Sequence, residues 1–162
     1  MVMRYAVLVV VVALSACASY DGRGLQPGIA TDADVRQLMG PPAAEYASPD
    51  GSKELAYPKG PMGVETYMVH LRPDGRLARI DQVLDADHFA RIVTGKTTRE
   101  EVRRLLGPPG STMEFPRMQR LAWTYRFRDV WGYDADFSTV FDVNGIVVEK
   151  VIVRLERGMD SN

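Results

Sequence analysis

The sequence predicts an α+β protein built from two tandem units, each a short helix or helix pair followed by a three-stranded antiparallel meander. Three observations carry this. Residues 28–42 align with residues 95–109 at an offset of 67 with no gap, keeping Gly28/Gly95, Thr31/Thr98, Val35/Val102, Arg36/Arg103, Leu38/Leu105, Gly40/Gly107 and the Pro-Pro that follows. In both copies a capped apolar stripe at helical spacing runs into that Gly-Pro-Pro. Downstream, Leu121, Trp123, Tyr125 and Phe127 alternate with polar or small residues over nine positions, the pattern of a half-buried strand.

The chain begins with an address. Arg4 precedes a nine-residue apolar run, Ala6 to Leu14, and then Ser15-Ala16-Cys17. A charged start, a short apolar core and small residues before a break fit a secretory signal peptide, and the run is far short of the ~20 residues a membrane-spanning helix needs. Leu14-Ser15-Ala16-Cys17 also resembles the lipobox of bacterial lipoproteins. That resemblance implies cleavage before Cys17 and palmitate-class acyl chains on it. Ala18, rather than Asp, after the Cys implies an outer-membrane address. The division is then 1–16 signal peptide, 17–27 acylated Cys and tether, 28–84 unit 1, 85–157 unit 2 and 158–162 tail.

Each helix has its own start and stop. Thr31 and Thr98 are N-caps, Thr98 with Glu101 as a capping box and Thr31 with Asp34 as a weaker one. Val35, Leu38 and Met39 (Val102, Leu105 and Leu106 in the second copy) form one stripe, and Gly40 and Gly107 offer the left-handed position that ends a helix before Pro-Pro. Helices of about nine residues do not persist in water unless packed. A further helical turn is expected at 85–92, with Phe89 and Ile92 inward.

The strands follow in order. Residues 54–57 align with 120–123 at offset 66, placing Tyr57 opposite Trp123. Tyr67, Val69 and Leu71 match Phe137, Thr139 and Phe141 at offset 70. Asp74-Gly75 and Asn144-Gly145 suit two-residue hairpin loops. The last strands cover 76–84 and 146–155, with Val147, Val151, Val153 and Leu155 on one face; the first copy alternates less cleanly, which suggests a bulge. Units of some 65 residues have marginal cores alone, so the two are expected to pack together.

Composition excludes several classes. Twenty basic against 21 acidic residues leave no basic field for nucleic acid. One Cys and two His exclude a disulfide framework and argue against a Cys/His zinc site. His70 and His88 have no nucleophile pattern beside them, and Asp85-x-Asp87 and Asp134-x-Asp136 do not continue into a calcium loop. These carboxylates read as solvated turn residues. No enzyme activity and no cofactor are expected.

The ordered segments Gly95-x-Thr97 through Gly107-Pro108-Pro109, then Trp123-Thr124-Tyr125, then Phe141-Asp142-x-x-Gly145-x-Val147 are similar to the BamE (SmpA/OmlA) family. The resemblance covers nearly all of 92–155 and, more loosely, 28–84. It implies a lipoprotein on the periplasmic face of the outer membrane, scaffolding the β-barrel protein assembly complex through protein contacts, with the membrane held through acylated Cys17. Members usually carry one unit, whereas this chain has two. Tandem units also look like secreted β-lactamase-inhibitory proteins, which implies the alternative of a concave double sheet capturing a periplasmic hydrolase.

Candidate partner-binding residues lie at two loops and one strand face. Trp131 and Tyr133 sit at a predicted hairpin tip, where aromatic anchors dominate interface energetics; folding back as a lid over the sheet edge, or meeting the other copy, is the other reading. Phe115 and Met118 belong to a second exposed loop. Arg126, with Arg120 and Arg128, lies on a strand face that reads as solvated, with anionic headgroups or carboxylates as the alternative. Trp123, Tyr125 and Phe127 share the opposite face and are assigned to the core.

Overall fold

The computed structural model describes residues 21–60 and 63–155. Cys17 and the expected signal peptide lie outside the described residues. The elements run α1 (Asp32–Met39), β1 (Ala44–Ala47), β2 (Lys53–Pro58), β3 (Thr66–Leu71) and β4 (Leu77–Gln82). Then come α2 (Ala86–Ala90), α3 (Arg99–Leu106), β5 (Ser111–Phe115), a 3-10 turn (Pro116–Met118), β6 (Arg120–Arg128), β7 (Asp134–Phe141) and β8 (Val147–Arg154). Each half is a helix followed by a four-stranded antiparallel sheet, β1-β2-β3-β4 and β5-β6-β7-β8. The expected three-stranded meander is thus one strand short. β1 and β5 are four and five residues long and carry no clean alternation, so periodicity could not reveal them.

Both helices start as their sequences dictate. Thr31 accepts from the Asp34 N–H while Asp34 accepts from the Thr31 N–H, and Thr98 and Glu101 repeat this reciprocal box. Their ends differ from expectation. Gly40 and Gly107 have φ of 83° and 80° but ψ of −168° and −170°, so they occupy a region that only glycine enters freely rather than the left-handed helical well. The turns closing β3–β4 and β7–β8 also differ. Only Gly75 and Gly145 have positive φ, so these are longer turns ending in a glycine, not two-residue loops.

Equivalent hydrogen bonds tie the two copies together as one pattern. The Tyr57 hydroxyl donates to the Gly40 carbonyl and the Tyr125 hydroxyl to the Gly107 carbonyl, both at 3.1 Å. Tyr57 therefore corresponds to Tyr125, and the sequence offset of 66 that set it against Trp123 was two residues out. Short apolar-aromatic strands permit either register; the hydroxyl-to-helix-end bond selects one. A register shift falls in both copies, between His70 and Leu71 and between Val140 and Phe141. It puts Val147 on the helix face and Val151 and Val153 on the other, which corrects their assignment to one face.

The layers run α1, sheet 1, α3, sheet 2. Leu55, Tyr57, Val69, Leu71 and Leu77 pack with Val35 and Met39 of α1. The opposite face of sheet 1, Tyr46, Ala56 and Met68, joins Val102, Leu106, Trp123, Tyr125 and Phe137 in a second core. α3 is therefore covered on two sides. Gly107 fits closely here: a Cβ would lie 3.1 Å from Thr66 and 3.3 Å from Ala56. Arg104 extends over the Tyr46 ring and donates to the Ala47 carbonyl at 2.7 Å.

α2, capped by Asp85, brings Phe89 onto sheet 2, stacked on Phe137 at 4.0 Å and edge-on to Phe127 at 4.9 Å. In sheet 1 the chain before α1 takes the same place. Leu25 packs into the first core, Gly28 donates to the Leu77 carbonyl, and a Cβ on Gly22 would collide with Ile80. From residue 21 on, the expected tether is thus part of the folded body. Its polar composition hid this, because a single Leu and glycine-mediated close approach do the packing.

Candidate functional site

The β6–β7 hairpin is organised by one carboxylate. Asp129 accepts the Trp131 and Tyr133 N–H groups, each at 2.9 Å, and its N–H donates to the Tyr133 carbonyl. Gly132, with φ of 81°, lets the chain reverse between the two aromatics. Arg154, from the end of β8, donates to Asp129 at 2.9 Å and lies 5.1 Å from the Trp131 ring and 4.9 Å from the Tyr133 ring. Against the cost of burial, these donors hold the Asp129 carboxyl below its usual range. Both rings rest on the guanidinium and show their other faces outward. Trp131 is 73% exposed and neighbouring Val130 is 85% exposed. Beneath them a groove of about 470 Å³ is lined by Ala86, Phe127, Ala135, Ile152 and Trp131.

Phe115 ends strand β5 rather than lying in a loop, and Met118 ends the 3-10 turn beside it, 66% exposed. β5 forms the outer edge of sheet 2 and is exposed along its whole length. Met113 and Phe115 share the face of the sheet turned away from α3, an assignment fixed by pairing of Ser111 with Thr124 and Met113 with Ala122.

Arg126 lies on that same outer face, clasped by Asp136 through two bonds of 3.0 and 3.2 Å. Arg128 pairs with Asp134 at 3.0 Å. Asp134 and Asp136 are thus strand residues neutralising a cross-strand arginine row, not turn carboxylates. The Arg126 guanidinium is held protonated by Asp136. The three loci, hairpin, β5 edge and Arg126, all belong to unit 2; the hairpin frames the groove just described, and Arg126 lines a smaller cavity with Tyr125, Pro109 and Thr66.

Both histidines line a polar cleft of about 260 Å³ between the units, with Glu54, Asp81, Arg79 and Arg104. His70 lies 3.1 Å from Asp81 and 3.5 Å from Glu54, and His88 lies 2.8 Å from Asp85. Burial, then the Arg79 charge, pushes the His70 imidazole below its ordinary value against the pull of Asp81 and Glu54. Every acid here is committed to a neighbour, with no serine, threonine or cysteine nucleophile among the lining residues. Among the described residues no group of three or more His, Cys, Asp or Glu is placed to hold a metal.

Arg154, Ile152, Val130 and Met113 were not expected at these surfaces. Arg154 stands 25 residues from Asp129, a distance no local pattern spans. Val130 had a signal, an apolar residue beside Trp at a turn; Met113 and Ile152 depended on strand faces set by the bulge and by β5. Compared with family models, curated proteins and solved structures, the chain matches none.

Proposed function

We propose that this protein is a lipid-anchored, non-enzymatic scaffold of the bacterial envelope, held through Cys17 at the periplasmic face of the outer membrane. The partner implied by the BamE-like sequence pattern is the β-barrel protein assembly complex, and the service is assembly of outer-membrane proteins or envelope integrity. One observation carries the scaffold reading. Of the eleven large hydrophobic side chains exposed among the described residues, ten lie within residues 85–157 and only Ile29 lies before them. Apolar exposure concentrated on one unit suits a contact surface, with the other unit as its support. β5 is the protein-binding element in this reading: an uncovered edge carrying Met113 and Phe115, next to Met118. Such an edge invites strand addition or side-chain docking.

The inhibitory alternative asks for a joint concave sheet. The two sheets share no strand pairing and α3 lies between them, which weighs against it.

The test is affinity purification of the full-length protein from crosslinked native membranes, beside Cys17→Ala and Met113→Glu/Phe115→Glu variants. Co-purification of the assembly complex, reduced at least tenfold by the β5 variant, supports the reading. Equal recovery with the β5 variant removes β5 from it, and recovery of a single hydrolase instead replaces it.

A further inference from the structure

We propose that the β6–β7 hairpin is a membrane foot: Val130, Trp131 and Tyr133 seat in the interfacial layer of the bilayer that holds Cys17. The inference rests on the lipid-anchor reading above and deepens it by stating which end of the body meets the lipid.

Reach decides the orientation. The folded body begins by residue 21, four residues after Cys17, and four extended residues span at most ~14 Å. Residue 21 lies at one defined end of sheet 1. A Cβ on its neighbour Gly22 would lie 3.4 Å from the Met39 Sδ at the C-terminal end of α1, where the Gly40 carbonyl takes the hydroxyl of Tyr57 beside Pro58, and the Asp21 charge is also felt at Lys59 and Tyr67. Lys59 and Glu65 close the β2–β3 hairpin, so the tether leaves from the hairpin end of sheet 1.

Sheet 2 points the same way. The C-terminal end of α3 touches Thr66 and Ala56 of sheet 1, and its Gly107 carbonyl takes the Tyr125 hydroxyl of sheet 2. A small cavity is lined jointly by Pro58, Gly60 and Thr66 near the first hairpin and by Pro109, Tyr125 and Arg126 near the second. Both hairpins thus lie at one end of the molecule. The nine residues of β6 span about 30 Å, so a body seated on this end holds the opposite end, with the Val143 turn, well beyond the reach of a ~14 Å tether.

The side chains at the near end suit that surface. Trp and Tyr are the residues of membrane–water interfaces, their rings apolar and their N–H and O–H groups wet. Arg154 and Arg128 are each paired with an aspartate. The foot therefore works by apolar seating, with little dependence on salt or on anionic lipid. Val143 supplies an internal control. It is 73% exposed, as is Trp131, but sits at the far turn.

The test uses full-length protein made in a bacterial host with a clickable palmitate analogue, then placed in vesicles of phosphatidylethanolamine and phosphatidylglycerol. Trp123 is buried, so acrylamide quenching reports Trp131. A fivefold or greater fall in Trp131 quenching on reconstitution, with quenching by bromolipids, is expected; a Trp131→Phe/Val143→Trp protein stays fully quenchable by acrylamide. Absence of palmitate label overturns the anchor reading. Labelled, vesicle-bound protein whose Trp131 remains as accessible as in Cys17→Ala protein overturns the foot alone. Protection of Trp131 that appears only when a co-purified protein is added assigns the hairpin to that protein and also overturns it.

Discussion

Sheets 1 and 2 have the same strands, the same bulge and the same tyrosine bond, but opposite fates for one face. Away from their own helix, sheet 1 presents Tyr46, Ala56 and Met68, while sheet 2 presents at the matching positions Met113, Thr124 and Ser138. The first set is buried under α3. The second is open, with Thr124 and Ser138 hydrogen-bonded to each other at 2.9 Å and Arg126 clasped by Asp136. In a stack of repeats the last unit must face water, and a polar outer face at the end does this. Two or three side chains therefore decide whether a unit is interior or terminal.

Charging the two faces should separate them most sharply. Ala56→Asp places an unpaired carboxylate under α3 and should cost about 3–5 kcal/mol, a large part of the stability of a domain this size. Ser138→Asp, at the position matching Met68, should cost about 1 kcal/mol or less. Urea denaturation measures both, and equal costs would break the comparison. The reverse pair, Thr124→Ala/Ser138→Met, should keep the fold while exposing an apolar face, giving concentration-dependent self-association in sedimentation.

The helix ends offer a smaller contrast. Gly40→Ala and Gly107→Ala meet the same backbone strain, about 1–3 kcal/mol. Gly40 has open space beyond it, whereas a Cβ on Gly107 presses on Ala56 and Thr66. Gly107→Ala should therefore lose about 1–2 kcal/mol more. A matching loss at Gly40 would mean that α3 is not clamped.

The smallest effect concerns acid. His70 in the cleft between units faces Glu54, Arg79 and Asp81 of sheet 1, Glu101 and Arg104 of α3, and Arg91 and His88 from the α2 region. Its folded pKa lies below the ordinary 6.5, so the fold favours the neutral ring. That contribution is complete above about pH 6.5 and is lost as pH falls through the folded value. In His70→Gln the urea midpoint should fall less between pH 8 and pH 5 than in the parent; an unchanged slope would place the acid sensitivity elsewhere. Sheet 2 has Val140 at the corresponding position, so the effect belongs to the unit boundary alone.

Much of this was legible in the chain. β6 has the predicted bounds, the two capping boxes form, Phe89 and Ile92 are buried, and Trp123, Tyr125 and Phe127 are core. These depend on period-2 and period-3.6 patterns and on cap chemistry within four residues, interactions a sequence displays directly. Of the candidate surfaces, the exposed aromatics of the hairpin were visible and its groove was not, because Phe127, Ile152 and Arg154 converge on it from separate strands. β2 misled for the same kind of reason. Leu55, Ala56 and Tyr57 are all buried since both faces are covered, so the strand has no alternation to read.

The sequence by itself determined the repeat, the helix starts and stops, and the strand that alternates, because each is written in neighbouring residues. Only the tertiary structure decided that α3 serves both sheets, that Tyr57 answers Tyr125, that residues 21–27 belong to the body, and that the aromatic hairpin stands at the end where the chain enters. Each of these depends on surfaces meeting across tens of residues, where burial and close approach select among registers that local propensity leaves nearly equal.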